Sequence, residues 1–297
     1  MNRNKTSTDT MVSIGMPVYN GEEFIRKALD SLLNQTHTNF ELIISDNQST
    51  DNTEIIVQEY AKKDNRIKYV KSETNEGAIS NLNKVFSLAK YDYFMWASHD
   101  DFWSDGYIEL CLEGFNYKNN IVLSTVISSI VDPHKENEIA RDLGLDTTNT
   151  NSANKFISYR KYLRTFPGAD CIFYGLYDRK VLSSVMPMQN VVASDHILLS
   201  ELSLNGDFCR TPANVFFKRD GGACESINRI VESIRLESKV LSKLSYIARE
   251  YFFQKIIFRT QAIKFHEKVT LSLWSLHDYL DFRLYSRVMR LLSRLHR

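Results

Sequence analysis

The feature that most restricts the fold is the regular alternation of short apolar runs with longer amphipathic stretches between residues 12 and 111. Residues 12–18 form an apolar run too short for a core helix, which predicts a buried strand. Residues 22–35 follow with Phe24, Ile25, Ala28, Leu29, Leu32 and Leu33 at helical spacing, and residues 40–45 predict the next strand. The pattern then repeats. Asp51-Asn52-Thr53-Glu54 has capping-box spacing and launches a helix over 55–61, residues 67–70 read as a strand, 77–89 as a helix and 91–97 as an aromatic strand. Strands joined by helices at this spacing predict an α/β fold, a mainly parallel sheet covered by helices on both faces. Ligands of such sheets sit beyond the carboxyl ends of the strands.

The later sequence is less regular. Residues 121–131 predict a strand, and the polar stretch 132–154, with Pro133 and Gly144, predicts a mobile loop. Further strands are expected at 171–174 and 207–218, with a helix over 195–204 between them. After Gly221-Gly222 the chain becomes helical and basic: residues 226–297 carry 14 Lys and Arg against six Asp and Glu. There Phe252, Phe253, Ile256, Ile257, Trp274, Leu276, Tyr279 and Leu280 interleave with Arg259, Arg283, Arg287 and Arg290. Such helices either lie on an anionic membrane surface or pack on the catalytic domain or a second copy, a homo-oligomer. The expected organisation is a disordered 1–11, a catalytic domain 12–222 with halves meeting at 111/112, and a basic amphipathic extension 223–297.

Charge and cysteine usage exclude other classes. The whole chain is only +1, so it lacks the basic surplus of a polyanion binder, and nucleic acid is not an expected partner. Cys111, Cys171, Cys209 and Cys224 form no C-x-x-C pair, which argues for buried thiols in a reducing compartment. The apolar run 11–19 is interrupted by Ser13, Gly15 and Pro17 and is neither a signal peptide nor a membrane span, so a cytoplasmic location is expected, with the inner face of the membrane included.

Three acidic clusters fall at predicted strand or helix ends. Asp46 directly follows the second strand, where a carboxylate accepts a hydrogen bond from a nucleobase ring N–H or serves a turn. Asp100 and Asp101 in Ser98-His99-Asp100-Asp101 follow the aromatic strand; paired carboxylates suit a hard divalent cation, Mn²⁺ or Mg²⁺, or solvate a loop. Asp195, between Ser194 and His196, opens an apolar helix, as a cap or as a base. Neither His99 nor His196 has metal-ligand spacing.

Taken together these residues resemble the nucleotide-sugar transferases of glycosyltransferase family 2, which have the GT-A fold. The resemblance is carried by Val12-Ser13-Ile14-Gly15-Met16-Pro17-Val18-Tyr19-Asn20-Gly21-Glu22, Leu32-Leu33-Asn34-Gln35-Thr36, the run from Phe40 to Asp46, Ser49-Thr50-Asp51, Asn75-Glu76-Gly77 and Trp96-Ala97-Ser98-His99-Asp100-Asp101-Phe102-Trp103. It implies a nucleotide-sugar pocket formed by Pro17, Val18, Tyr19, Asn20 and Glu22, by Asp46, Asn47 and Ser49, by Gly77 and Asn81, and by His99 and Asp100. It further implies Asp46 as reader of the base, commonly uracil, Asp100 and Asp101 at the metal and diphosphate, and Asp195 as catalytic base.

The activity implied is inverting transfer of one sugar from a nucleoside diphosphate, commonly UDP, to a glycan or lipid-linked acceptor. Residues 166–170 would shape the acceptor side and Arg219-Asp220-Gly221-Gly222 a lid. Two positions depart from the family pattern: Ser98 stands where a first Asp of D-x-D is often found, and Ser194 replaces the usual Glu before the base. They keep open an inactive sugar-nucleotide-binding scaffold. A two-carboxylate glycoside hydrolase leaves the arrangement from Pro17 to Asp46 unexplained, and the turn after the first strand lacks the G-x-G-x-x-G of a dehydrogenase.

Overall fold

The computed structural model describes residues 9–142, 145–148, 171–191, 194–220, 251, 253–259, 264–273 and 275–276. The readings placed on residues 166–170, on 221–222, on Cys224, Phe252 and Trp274, and on the chain from 277 onward lie outside them. Near the first described residues the Thr10 carbonyl oxygen lies 2.8 Å from His37 Nε2.

The first half follows the expected alternation: β1 (Val12–Val18), α1 (Ile25–Leu33), β2 (Phe40–Asp46), α2 (Thr53–Ala61), β3 (Ile67–Lys71), α3 (Ala78–Leu88) and β4 (Tyr93–Trp96). Then come β5 (Phe102–Trp103), α4 (Tyr107–Gly114), β6 (Ile121–Val131), β7 (Glu138–Asp142), a 3-10 turn (Cys171–Tyr174), β8 (Leu176–Asp178), α5 (Arg179–Ser183), α6 (Ser194–Asn205) and β9 (Asp207–Arg219). The strands form one sheet in the order β3-β2-β1-β4-β8-β6-β9-β5, with β7 beside β6.

Strands β3, β2, β1 and β4 are parallel neighbours, as crossover helices require. Beyond β4 the sheet becomes mixed, because β8 runs antiparallel to both β4 and β6, and β5 and β7 are antiparallel to β9 and β6. Two reversals restore the direction, so β6 and its parallel partner β9 point the same way as β1 to β4.

Helices cover both faces. Val12, Ile14, Met16 and Val18 of β1 alternate onto one face, against Ile25, Leu29 and Leu32 of α1 and Val57 of α2. Ile43, Phe94 and Trp96 occupy the other, against Val85 and Phe86 of α3 and Leu198, Leu199 and Leu202 of α6. Each such side chain withdrawn from water is worth about 1.5–3 kcal/mol. A third cluster joins Ile197 and Leu204 of α6 to Phe253, Ile256, Ile257 and Leu271 of the C-terminal helices. For these residues the apolar stripe of the tail packs on α6.

Two sequence expectations are corrected. Residues 171–174 form a 3-10 turn and not a strand, with Phe173 stacked on the Trp96 ring at 4.7 Å; a short apolar run does not distinguish the two by periodicity. Part of the expected mobile loop 132–154 is strand β7, whose first four residues are exposed. A solvated edge strand has the polar composition of a loop.

Candidate active site at the carboxyl edge of the sheet

Because β1, β2, β3, β4, β6 and β9 share a direction, the segments that follow them emerge at one edge. Val18 and Asp46 end β1 and β2 as register partners. Here the backbone takes unusual conformations: Asn20 and Gln48 have φ of 51° and 63°, and Gly77 has 86°. Hydrogen bonds hold them. The N–H of Asn20 donates to Ser49 Oγ at 2.9 Å, that of Gly21 to Thr53 Oγ1 at 2.8 Å, and that of Thr50 to Asn20 Oδ1 at 2.8 Å. Asp51, expected as a helix cap, takes the N–H groups of Glu22 and Thr53, while Glu22 Oε2 takes the N–H of Asn52. Against burial, which raises it, the bonds from Thr53 and Glu22 hold the Asp51 carboxyl below the usual range.

The third loop is tied in by amides. Asn47 donates to Asn75 Oδ1 and accepts from the Glu76 N–H, both at 2.9 Å, and Asn75 Oδ1 also takes the N–H of Gly77. Asn81, in the first turn of α3, donates to the Ser45 carbonyl at 2.8 Å. Pro17 is half-buried and Tyr19 exposed beside these loops.

Asp46 is fully buried, and both its oxygens are engaged: Oδ1 by the Ser49 N–H at 2.7 Å and Oδ2 by the Tyr69 hydroxyl at 2.8 Å. Burial and the Asp46 carboxylate push the Tyr69 phenol up, so Tyr69 remains a donor at all physiological pH. The carboxylate braces the loop from beneath, and a base reaches it only through lone pairs these bonds leave over.

The fourth loop carries the acid pair. Trp96, at the end of β4, is locked by Phe173 stacking, by an edge contact to Phe94 and by an indole bond to the Leu82 carbonyl at 3.2 Å. Downstream, Phe102 stacks on Phe217 and Trp103 on Phe216, pinning the chain after Asp101 to β9. Between these anchors the Ser98 hydroxyl donates to Asp100 Oδ1, and Asp101 Oδ1 accepts the Arg219 N–H at 2.9 Å. Both carboxylates are buried, and Asp101 Oδ2 has no hydrogen-bond partner among the described residues.

Burial first, then the Asp100 charge, hold Asp101 well above the usual carboxylate range, while Lys218 and Arg219 act in the opposite sense. Ionising Asp101 therefore opposes folding: its contribution is fully present below the unfolded value and is lost as pH rises through the raised folded value. Asp101→Asn keeps the acceptor for Arg219 and removes that penalty. In chelator it should melt a few degrees above wild type at pH 8 and alike at pH 4; a lower melting point at pH 8 would refute the burial argument.

No group of three or more His, Cys, Asp and Glu gathers to hold a metal among the described residues. The donors nonetheless fit one. Two buried carboxylates, one with an orphaned oxygen, suit a hard cation that takes its remaining ligands from diphosphate and water.

His99 packs its ring on Gly21, where an added Cβ would lie 2.7 Å from His99 Cδ2 and 2.8 Å from Val18 Cγ2. This contact brings the first and fourth loops together. Gly21→Ala should cost about 1–3 kcal/mol, read as a lower urea midpoint. An unchanged midpoint would mean that His99 relaxes freely.

Arg219 closes the far side. Its guanidinium bonds the Pro133 carbonyl at 3.0 Å and Glu136 at 3.1 Å and lies over the rings of Phe24 and Phe102, and Glu136 also pairs with Lys27. The expected lid residue is thus a clamp between β9, the β6–β7 turn and α1.

Asp195 lies in the first turn of α6, with its side chain about one-third exposed and His196 Nε2 4.0 Å from its Oδ2. This helix ends at Asn205, just before β9 begins at Asp207. Tyr69, Asn75, Lys218 and Arg219 enter this site from distant elements; Asn75 and Arg219 stood in motifs marked in the sequence, whereas nothing there pointed to Tyr69 or Lys218 as site residues. Cys111, Cys171 and Cys209 are free and buried, and burial pushes Cys111 up to about 12 and Cys209 to about 11.

Comparison with known proteins gives the same direction. The chain is 38% identical over 108 residues to the putative teichuronic acid biosynthesis glycosyltransferase TuaG of Bacillus subtilis, covering 36% of this chain and 43% of TuaG. It is 30% identical over 148 residues to the UDP-Glc:alpha-D-GlcNAc-diphosphoundecaprenol beta-1,3-glucosyltransferase WfgD of Escherichia coli, covering 46% of this chain and 58% of WfgD. The chain therefore spans less than two thirds of either relative. Its fold is like that of S. aureus TarS 1-349 in complex with UDP-GlcNAc, with a TM-score of 0.67 and 17% identity over 92% of this chain and 73% of that one. The model of glycosyl transferase family 2 matches residues 13–185, more than half of the chain, and the protein belongs to that family and has a GT-A fold.

Proposed function

We propose that this protein moves a single sugar from a UDP-sugar to a hydroxyl of a glycan or lipid-linked acceptor, with inversion, in the synthesis of a surface polysaccharide or glycoconjugate on the cytoplasmic side of a membrane. The observation that carries the reading is the gathering, at one edge of the sheet, of the loops that follow β1, β2, β3 and β4, the last of them bearing the buried pair Asp100 and Asp101. Similarity to WfgD, named for a UDP-glucose donor and a lipid-diphosphate acceptor, supports the substrate classes, and the fold shared with TarS, solved with UDP and with UDP-GlcNAc, supports the donor. No helix of the described residues is long and apolar enough to cross a membrane.

In this reading Pro17, Val18, Tyr19, Asn20 and Glu22 form one wall of the nucleotide pocket, and Asn47, Ser49, Gly77 and Asn81 the other, with Asp46 bracing the base end from below. His99 and Asp100 face the diphosphate. A divalent cation, Mn²⁺ or Mg²⁺, held by Asp100 and Asp101 would neutralise charge on the leaving diphosphate. Asp195 takes the proton of the acceptor hydroxyl as its oxygen bonds the anomeric carbon; the bond from that carbon to the diphosphate breaks on the opposite face, and UDP departs with the electron pair.

The test is a screen of UDP-sugars with and without Mn²⁺, read by melting temperature and by UDP release. At least one UDP-sugar should raise the melting temperature and release UDP faster when a glycan or lipid-diphosphate acceptor is added. If no UDP-sugar does either, the proposal fails.

A further inference from the structure

The C-terminal helices have a second face that the catalytic domain does not use. Along residues 265–276, Leu271 and Ser275 are buried, whereas Phe265, Val269, Leu273 and Leu276 are exposed, Phe265 by 74% and Leu273 by 64%. Their spacing of four, four and three residues places the exposed set on one side of a helix, opposite Leu271 and Ser275. The preceding helical residues repeat the division: Phe253, Ile256 and Ile257 face α6, and Phe258 is about half exposed. Lys268 Nζ donates to the Phe258 carbonyl at 3.1 Å and ties the two segments together. Arg259 and Lys264 are exposed on the same segments, within a stretch, 226–297, that carries 14 basic against six acidic residues.

We infer that this face docks on an anionic lipid surface, with Phe258, Phe265, Val269, Leu273 and Leu276 entering the headgroup layer and Arg259 and Lys264 meeting lipid phosphates. Charge decides the occupant. Pairing the face with a second copy would set two basic stretches against each other, whereas an anionic membrane satisfies both the apolar stripe and the cations beside it. The inner face of the same helices grips α6 through Ile197 and Leu204, so the docked surface is joined by direct packing to the helix that carries Asp195. The inference does not depend on the transferase reading, since it rests on exposure and charge outside the site.

The full chain is sedimented with vesicles of equal parts phosphatidylglycerol and phosphatidylcholine, and with phosphatidylcholine alone, at two salt concentrations. Wild type should partition about tenfold or more better onto the anionic vesicles, less at high salt. The double variant Phe265→Ser, Leu273→Ser should lose about tenfold of that binding while keeping its melting temperature and its affinity for UDP, because both side chains are exposed. Should the double variant fail to fold, charge reversal at Arg259 and Lys264 asks the same question through exposed groups. Equal partition of variant and wild type overturns the inference. So does an absence of vesicle binding accompanied by a dimer that the double variant abolishes. UDP affinity in the same preparations reports separately on the donor site.

Discussion

Asp195→Asn should lower sugar transfer about 10²- to 10⁴-fold, the usual worth of general-base assistance, while the affinity for UDP-sugar stays within about twofold of wild type. The separation follows from position. Asp195 comes from α6, whereas the loops of β1, β2 and β3 are held by their own side chains and backbone. The amide keeps the size and one acceptor of the carboxylate and removes only its capacity to take a proton. Turnover by single-turnover kinetics and donor affinity by calorimetry read the two effects apart. A variant that loses donor affinity in proportion to its rate would place Asp195 in donor binding and leave the proton without an acceptor.

Asp100→Ala should show the converse, with donor affinity and divalent-ion dependence falling together and transfer reduced about 10²- to 10³-fold. Asp100 is buried beside Asp101 and takes the Ser98 hydroxyl. Without it, Asp101 loses the neighbouring charge that raises its proton affinity, and a cation loses one of two carboxylates. Titration of Mn²⁺ against UDP affinity should give a steep dependence in wild type and a flat one in the variant. Full wild-type activity in excess chelator would remove the metal from the mechanism altogether.

The legible part of the molecule is the part governed by local pattern. Strands buried on both faces, such as Val12–Val18 and Ile121–Val131, announce themselves as short stretches of apolar and small residues without charges, and the observed bounds coincide with the expected ones. Helix α1 starts later than periodicity suggests, because Glu22 is spent on the β2–α2 loop before the helix begins. The mixed half was harder: β5 has two residues and β8 three, too few to show alternation.

In the site, the acids could be named from their places after strands, but their environments could not. Asp46 is braced by Tyr69 from a neighbouring strand, and Asp101 accepts the Arg219 N–H of β9, more than a hundred residues away. The two serines read as departures take on distinct settings: Ser98 bonds Asp100, and Ser194 is buried in the first turn of α6.

Anomalous diffraction from crystals grown with Mn²⁺ and UDP tests the central claim most directly. One strong manganese peak is expected between Asp100, Asp101 and the diphosphate, with the uracil between the β1 and β2 loops above Asp46 and the Asp195 carboxylate facing the same cleft. A manganese peak away from the acid pair, or an Asp195 side chain turned to another surface with UDP bound, would contradict it.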